Sequence, residues 1–176
     1  EENAMQWGVH LPHLGRSVDR QTLMGFAQEA ERLGCHSGWV SDHVCWPADI
    51  ASKYPYTDDG SFQPTTDMAW LDPLGTLLFV AGCTETLRLG TTVLILPYRM
   101  PVQTAKQVAT LDVVSGGRAI LGVGVGWMAE EAAVLNMPWD QRGKRSDEQL
   151  EIFHHLFTDK EPSFHGTFYQ FPQVGF

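Results

Sequence analysis

A chain of 176 residues with 43% apolar and 19% charged side chains has the length and apolar content for a packed globular core, which excludes a disordered or fibrous class. Twelve basic against 21 acidic side chains give a formal charge of −9 with no Lys/Arg cluster, arguing against nucleic acid or an anionic membrane as partner. Apolar runs fall far short of the ~18 residues of a membrane span, and Cys35, Cys45 and Cys83 do not pair by spacing, so a reduced cytoplasmic setting is expected. The acidic Glu1-Glu2-Asn3-Ala4 does not read as a signal peptide; it reads as a cloning remnant ahead of a native start at Met5.

In chain order, residues 6–12 predict a short strand ended by Pro12. Asp19 caps a helix over about 20–33, with Leu23, Phe26, Ala27, Ala30 and Leu33 on one face, and Gly34 closes it. Residues 38–41 predict a second strand that delivers Asp42 and His43 to its carboxyl end. A long aperiodic segment over 44–71 follows, and a loop of this length inside a domain reads as a lid or binding loop. Its aromatics Trp46, Tyr54, Tyr56, Phe62 and Trp70 suit a flap over a flat ligand. Asp72-Pro73 starts a helix running to about Thr84, with Asp at the N-cap and Pro at the first helical position.

The run Leu87–Pro97 predicts a strand buried on both faces. Pro101 opens a helix with Val102, Ala105, Val108, Ala109, Leu111 and Val114 at helical spacing, and Ser115-Gly116-Gly117 stops it. A second buried strand is expected over 118–127, then helices over 128–136 and 144–157, the latter burying Leu150, Phe153, Leu156 and Phe157. A hairpin around a His165-Gly166 turn closes the pattern over 164–171. Gly122, Gly124 and Gly126 suggest a phosphate loop, but they fall within a strand rather than in a first βα turn. Gly122 and Gly124 are better explained as small residues that let neighbouring side chains fill a barrel interior.

Four parallel βα units result. A closed barrel needs eight units and ~250 residues, and an open parallel sheet leaves unpaired edges. The expected fold is therefore α/β, a (β/α)8 TIM-type barrel of which residues 1–176 form about the first half as a single partial domain. The remainder is expected to be deleted, disordered or supplied by another molecule. A complete open-sheet α/β domain is the alternative.

Several motifs together resemble the luciferase-like monooxygenase superfamily. They are Trp39-Val40-Ser41-Asp42-His43-Val44, the run Leu89 to Pro97, Ala105-Lys106-Gln107 with Ala109-Thr110-Leu111-Asp112, and Ser115 to Arg118 leading into Leu121 to Trp127. The similarity is greatest to its branch of oxidoreductases using the deazaflavin coenzyme F-420, which shares the Arg142-Gly143 and Asp147-Glu148 pattern and the hairpin. The resemblance implies a barrel holding a flavin or deazaflavin at its strand ends, with hydride passing between the ring and a small organic substrate. It implies that Asp42 hydrogen-bonds the ring and that His43 exchanges a substrate proton. It further implies a non-proline cis peptide between Thr92 and Val93 behind the ring, and backbone amides of Val125, Gly126 and Trp127 on the cofactor tail. Trp46 and His10 are the expected substrate or lid residues, and dimers are common in the family, so a homodimer is expected. Deazaflavin sugar-phosphate dehydrogenases of the superfamily carry a glutamate acid where Trp127 stands, which argues against a sugar-phosphate substrate.

Three alternatives stand beside the F-420 reading. The first is an FMN-dependent monooxygenase of the same fold. The second is a metal-dependent barrel hydrolase using His10, His13, Asp42 and His43, against which the two-residue gap between His10 and His13 counts; no metal is expected. The third is a non-catalytic flavin-binding fragment. Histidine titrates in the range that proton exchange beside hydride transfer needs, and this places His43 first among the candidates. Lys106 and Asp112 read as a structural pair or as solvated.

Overall fold

A computed structural model describes residues 5–62, 64–65 and 67–176. Within it the chain divides into two compact units. One comprises the described residues of 1–44, 65–94 and 110–123, the other those of 45–64, 95–109 and 124–176. Among the described residues no helix is long and apolar enough to cross a membrane.

The first unit is built on a parallel sheet. Its elements in chain order are β1 (Gly8–His10), β2 (Leu14–Gly15), α1 (Arg20–Arg32), β3 (Ser37–Val40), β4 (Ala69–Trp70), α2 (Pro73–Ala81) and β5 (Arg88–Thr91). Strand β6 (Leu94–Ile95) follows, then α3 (Pro101–Ser115), whose carboxyl half belongs to this unit, and β7 (Ala119–Ile120). The four-stranded sheet runs β1-β3-β5-β7, all neighbours parallel, so each βα unit lays its strand beside the previous one. Asp19 begins α1 by accepting the Thr22 N–H at 2.7 Å, and Asp72 begins α2 by accepting the Gly75 N–H at 2.8 Å ahead of Pro73. Gly116 and Gly117, at φ of 70° and 83°, end α3 where a side chain would strain the backbone.

Leu11, Val40, Leu87 and Leu89 meet Leu23, Ala27, Leu77, Val80 and Leu111 from the helices in one core. Burying each leucine contributes about 1.5–3 kcal/mol. On the opposite sheet face Trp39 fills the space: a Cβ on Gly90, its register partner, or on Gly8 would run into the indole. The Arg118 guanidinium fastens the amino ends of the sheet. It donates to the carbonyls of Ala81, Thr84, Leu87 and Ser115 at 2.6–3.1 Å.

The second unit holds the loop from Cys45, β8 (Val123–Gly124) at its border, α4 (Ala129–Val134) and α5 (Arg142–Thr158). It closes with β9 (Phe164–His165) paired antiparallel with β10 (Gln170–Phe171). Helix α5 buries Ser146, Gln149, Ile152, Phe153 and Leu156. The Glu148 carboxylate accepts the N–H groups of Thr167, Phe168 and Tyr169, which fixes the turn of the hairpin.

Several expectations are corrected. Phe26, Leu33, Val102, Val114, Leu150 and Phe157 are exposed, because each sits at the margin of an apolar stripe wider than the face that is covered. The expected strand 87–97 is two, β5 and β6, followed by a 3-10 turn over Leu96–Tyr98. The hairpin turn lies over residues 166–169, closed by Gly166 N–H to Tyr169 carbonyl at 2.9 Å, rather than at His165-Gly166. The space beside Gly122 is taken by the Thr91 backbone carbonyl rather than by a side chain filling an interior. Finally, the segment read as aperiodic contains β4, which pairs antiparallel with β2.

Candidate functional site

In the first unit the carboxyl ends of β1, β3 and β5 lie together: His10 stands opposite Trp39, and Val40 opposite Thr91. This is the edge at which α/β proteins place ligands. Beyond Val40 the chain continues into Asp42 and His43, 4% and 7% exposed. Burial of two consecutive polar residues at an open strand end is costly unless they are held by polar contacts or used by a ligand. His10 is exposed. The Thr92–Val93 peptide is cis, and both residues are exposed. The Thr92 N–H donates to the Val40 carbonyl at 2.7 Å, which ties this step to the residue that precedes Ser41-Asp42-His43. Thr91, fully buried, donates from its hydroxyl to the Gly122 carbonyl at 2.7 Å and accepts the Gly122 N–H at 3.1 Å. His10, Asp42, His43, Thr92 and Val93 thus share one rim.

Two residues of this rim carry more than the sequence suggested. His13, read there only as a conceivable metal ligand, is fully buried, with Nδ1 3.0 Å from the Leu11 carbonyl and Nε2 3.1 Å from the N–H, the carbonyl and the hydroxyl of Ser41. Burial, with the nearby His10 ring adding to it, pushes its pKa below the ordinary 6.5, although the Leu11 and Ser41 bonds pull the other way. Trp70, read as a lid aromatic, is set by the β2–β4 pairing. Its ring meets the His43 ring edge-on at 4.8 Å and the His13 ring at 6.0 Å. A two-residue strand has no periodicity to detect, so only the aromatic itself was visible. Among the described residues no three His, Cys, Asp or Glu side chains come together to hold a metal ion. Both ring nitrogens of His13 are engaged by protein groups instead.

The second unit holds the other expected site residues. Trp46 is half-buried and Val125 exposed. Gly126 has φ +82°, and a Cβ there would also crowd the Tyr98 hydroxyl at 3.0 Å, so glycine is required. Tyr98 in turn donates to the Met128 carbonyl at 3.1 Å. Trp127 packs on Tyr54 and Phe62, ring centroids 5.1 Å apart in both cases, and these two aromatics are taken up by that cluster. The loop is also bonded to the start of α4. Glu130 accepts the N–H groups of Ala51 and Ser52 at 2.9 and 3.0 Å, and Glu131 accepts that of Cys45 at 3.2 Å. Burial and then Glu131 push the Cys45 thiol pKa up, so Cys45 is a protonated packing group rather than a nucleophile.

Comparison with known proteins places this geometry. The profile of the luciferase-like monooxygenase family matches residues 6–176. An F420-dependent glucose-6-phosphate dehydrogenase of Amycolatopsis mediterranei is 32% identical over 152 residues, covering 84% of this chain and 41% of the relative. An F420-dependent secondary alcohol dehydrogenase, solved with an F420-acetone adduct, superposes with a TM-score of 0.74 at 19% identity, over 97% of this chain and 47% of that one. The oxygenating constituent of 3,6-diketocamphane monooxygenase from Pseudomonas putida, solved with FMN, superposes at 0.71 and 16% identity, over 98% and 44%. The chain spans about half the length of the curated relatives it matches. The fold is the α/β type of these barrels, with the parallel sheet that the strand count predicted.

Proposed function

The chain belongs to the luciferase-like monooxygenase family, and from that membership we propose that its protein is an F-420-dependent oxidoreductase acting on a small organic substrate. One observation carries the reading. A buried Asp42-His43 pair ends β3 beside the exposed Thr92–Val93 step, which is bonded to the same strand end. That donor set fits a planar deazaflavin: a carboxylate accepts from a ring N–H, and an exposed peptide offers a flat backbone surface. Bound there, the group supplies or takes up hydride.

The protein's own residues do the rest. Asp42 orients the ring by accepting its N–H. His43 holds the proton that leaves or joins the substrate oxygen, as an imidazole near neutrality can in either direction. The edge of Trp70 against the His43 ring restricts its rotation and keeps water from that side. In this reading residues 1–176 remain one partial barrel domain.

Titrating the full-length protein with F-420 and with FMN, each followed by absorbance and fluorescence, tests the cofactor. Saturable F-420 binding is expected, and a preference for FMN would replace the reading with that of a monooxygenase. His43→Ala should lower turnover by about 10²–10⁴-fold, the usual worth of a positioned acid or base, with F-420 affinity near wild type. Unchanged turnover removes His43 from the mechanism.

A further inference from the structure

The last direct rung between β1 and β3 is Leu11 N–H to Trp39 carbonyl at 2.8 Å. In a parallel ladder of this register the next would run from the Ser41 N–H to the Leu11 carbonyl. Here an imidazole stands in that rung. The Leu11 carbonyl accepts from the His13 backbone N–H at 2.8 Å and lies 3.0 Å from His13 Nδ1, while the Ser41 N–H donates to His13 Nε2 at 3.1 Å. Nε2 also lies 3.1 Å from the Ser41 carbonyl, so the ring bridges Leu11 to the Ser41 backbone through its two nitrogens. The carbonyl of Ser41 accepts from Trp70 Nε1 at 3.4 Å. Ser41 is thus held on its N–H and carbonyl by His13 and on its carbonyl also by Trp70, and the next two residues are Asp42 and His43.

Had the direct rung formed, the pleat would continue and consecutive side chains would point to opposite faces. The imidazole separates the two strand ends at Ser41, and both Asp42 and His43 are buried beyond it. We propose that His13 is a positioning residue for His43: its ring, wedged into the β1–β3 ladder, turns the chain at Ser41 and so presents Asp42 and His43 together at the rim. This deepens the reading of the site given above and rests on it. His13 acts on the pair through the Ser41 backbone, with its ring also near Trp70, which packs on His43.

The test uses His13→Leu and His13→Gln in the full chain. Glutamine retains one donor and one acceptor on a side chain long enough to bridge the two backbone groups; leucine retains neither. For His13→Leu the Ser41 amide should exchange at least ~10-fold faster, consistent with a lost protecting bond, and the His43 ring resonances should move in the NMR spectrum. Turnover should fall by about 10²-fold, the cost of a misplacement of about 1 Å, and F-420 affinity should weaken by about 10-fold because Asp42 is displaced together with His43. His13→Gln should keep all four readouts near wild type. If His13→Leu leaves Ser41 exchange and the His43 ring resonances unchanged, or His13→Gln disturbs both, the proposal is overturned. Should His13→Leu not fold, His13→Gln alone decides, by keeping or losing the Ser41 and His43 signals. These NMR readouts need no cofactor, so a protein that binds no F-420 would sink the functional reading and leave the positioning role decided separately.

Discussion

Gly122→Ala tests how the strand end that carries Thr92 is built. The new Cβ would run into the Thr91 carbonyl oxygen, a backbone atom that no rotamer change can move aside. Relief requires β7 and its continuation to separate from β5, and three hydrogen bonds cross at that point. They are Thr91 hydroxyl to Gly122 carbonyl at 2.7 Å, Gly122 N–H to Thr91 hydroxyl at 3.1 Å, and Leu94 N–H to Gly122 carbonyl at 2.8 Å. At about 1 kcal/mol each, their loss amounts to about 3 kcal/mol, a large share of the ~5–15 kcal/mol that holds a domain together. With a urea slope of ~1–3 kcal/mol/M, the unfolding midpoint should drop by about 1 M or more. Urea unfolding followed by tryptophan fluorescence measures this, and amide exchange at Leu94 reports the local separation. A midpoint within about 0.2 M of wild type, or undiminished protection of Leu94, would refute the reasoning.

Gly25→Ala is the converse case: α1 leaves open space around Gly25, so the substitution should raise stability by about 0.5–1 kcal/mol in the same urea assay. Glu31→Gln should cost about 1–2 kcal/mol, since the carboxylate accepts the N–H groups of Glu85, Thr86 and Leu87, all on Oε1, and a neutral amide oxygen accepts more weakly than an ionised one. The His13 pKa is depressed in the folded state, so above the ordinary 6.5 both states are neutral and its contribution is complete. As pH falls below that value the unfolded chain takes up the proton first, and stability is lost down through the folded pKa. Urea midpoints measured from about pH 8 to about pH 5 should therefore fall more steeply for wild type than for His13→Gln; parallel curves would contradict the burial account.

Much of the scaffold was legible because its signals are local. Asp72-Pro73 names both the cap and the first helical residue within two positions, and Gly116-Gly117 marks the end of α3 by the conformation that only glycine adopts freely. The Thr92–Val93 cis bond was expected from the family resemblance alone. A mostly apolar, β-branched run continues from Leu89 to Leu96, and for that reason β5 and β6 read as one strand. The exposed Phe26, Leu33 and Val114 show the same limit from the helix side. Helical spacing defines a stripe, whereas the width that is covered depends on which strands lie opposite.

The rim was legible only in its ends. Asp42 and His43 stand out as a polar pair following an apolar strand, but the contact that holds Ser41 just before them comes from His13, 28 positions from Ser41. No window of sequence contains both halves of that contact, and the β2–β4 pair that delivers Trp70 is two residues long on each side. A histidine after Pro12 suggests a metal ligand in isolation, the role its side-chain chemistry offers. Buried against Leu11 and Ser41, the same ring has no nitrogen left for a metal and replaces a backbone rung instead. What decides between the two roles is whether Nε2 meets a cation or an N–H, and that is settled by the register of two strands rather than by the identity of the side chain.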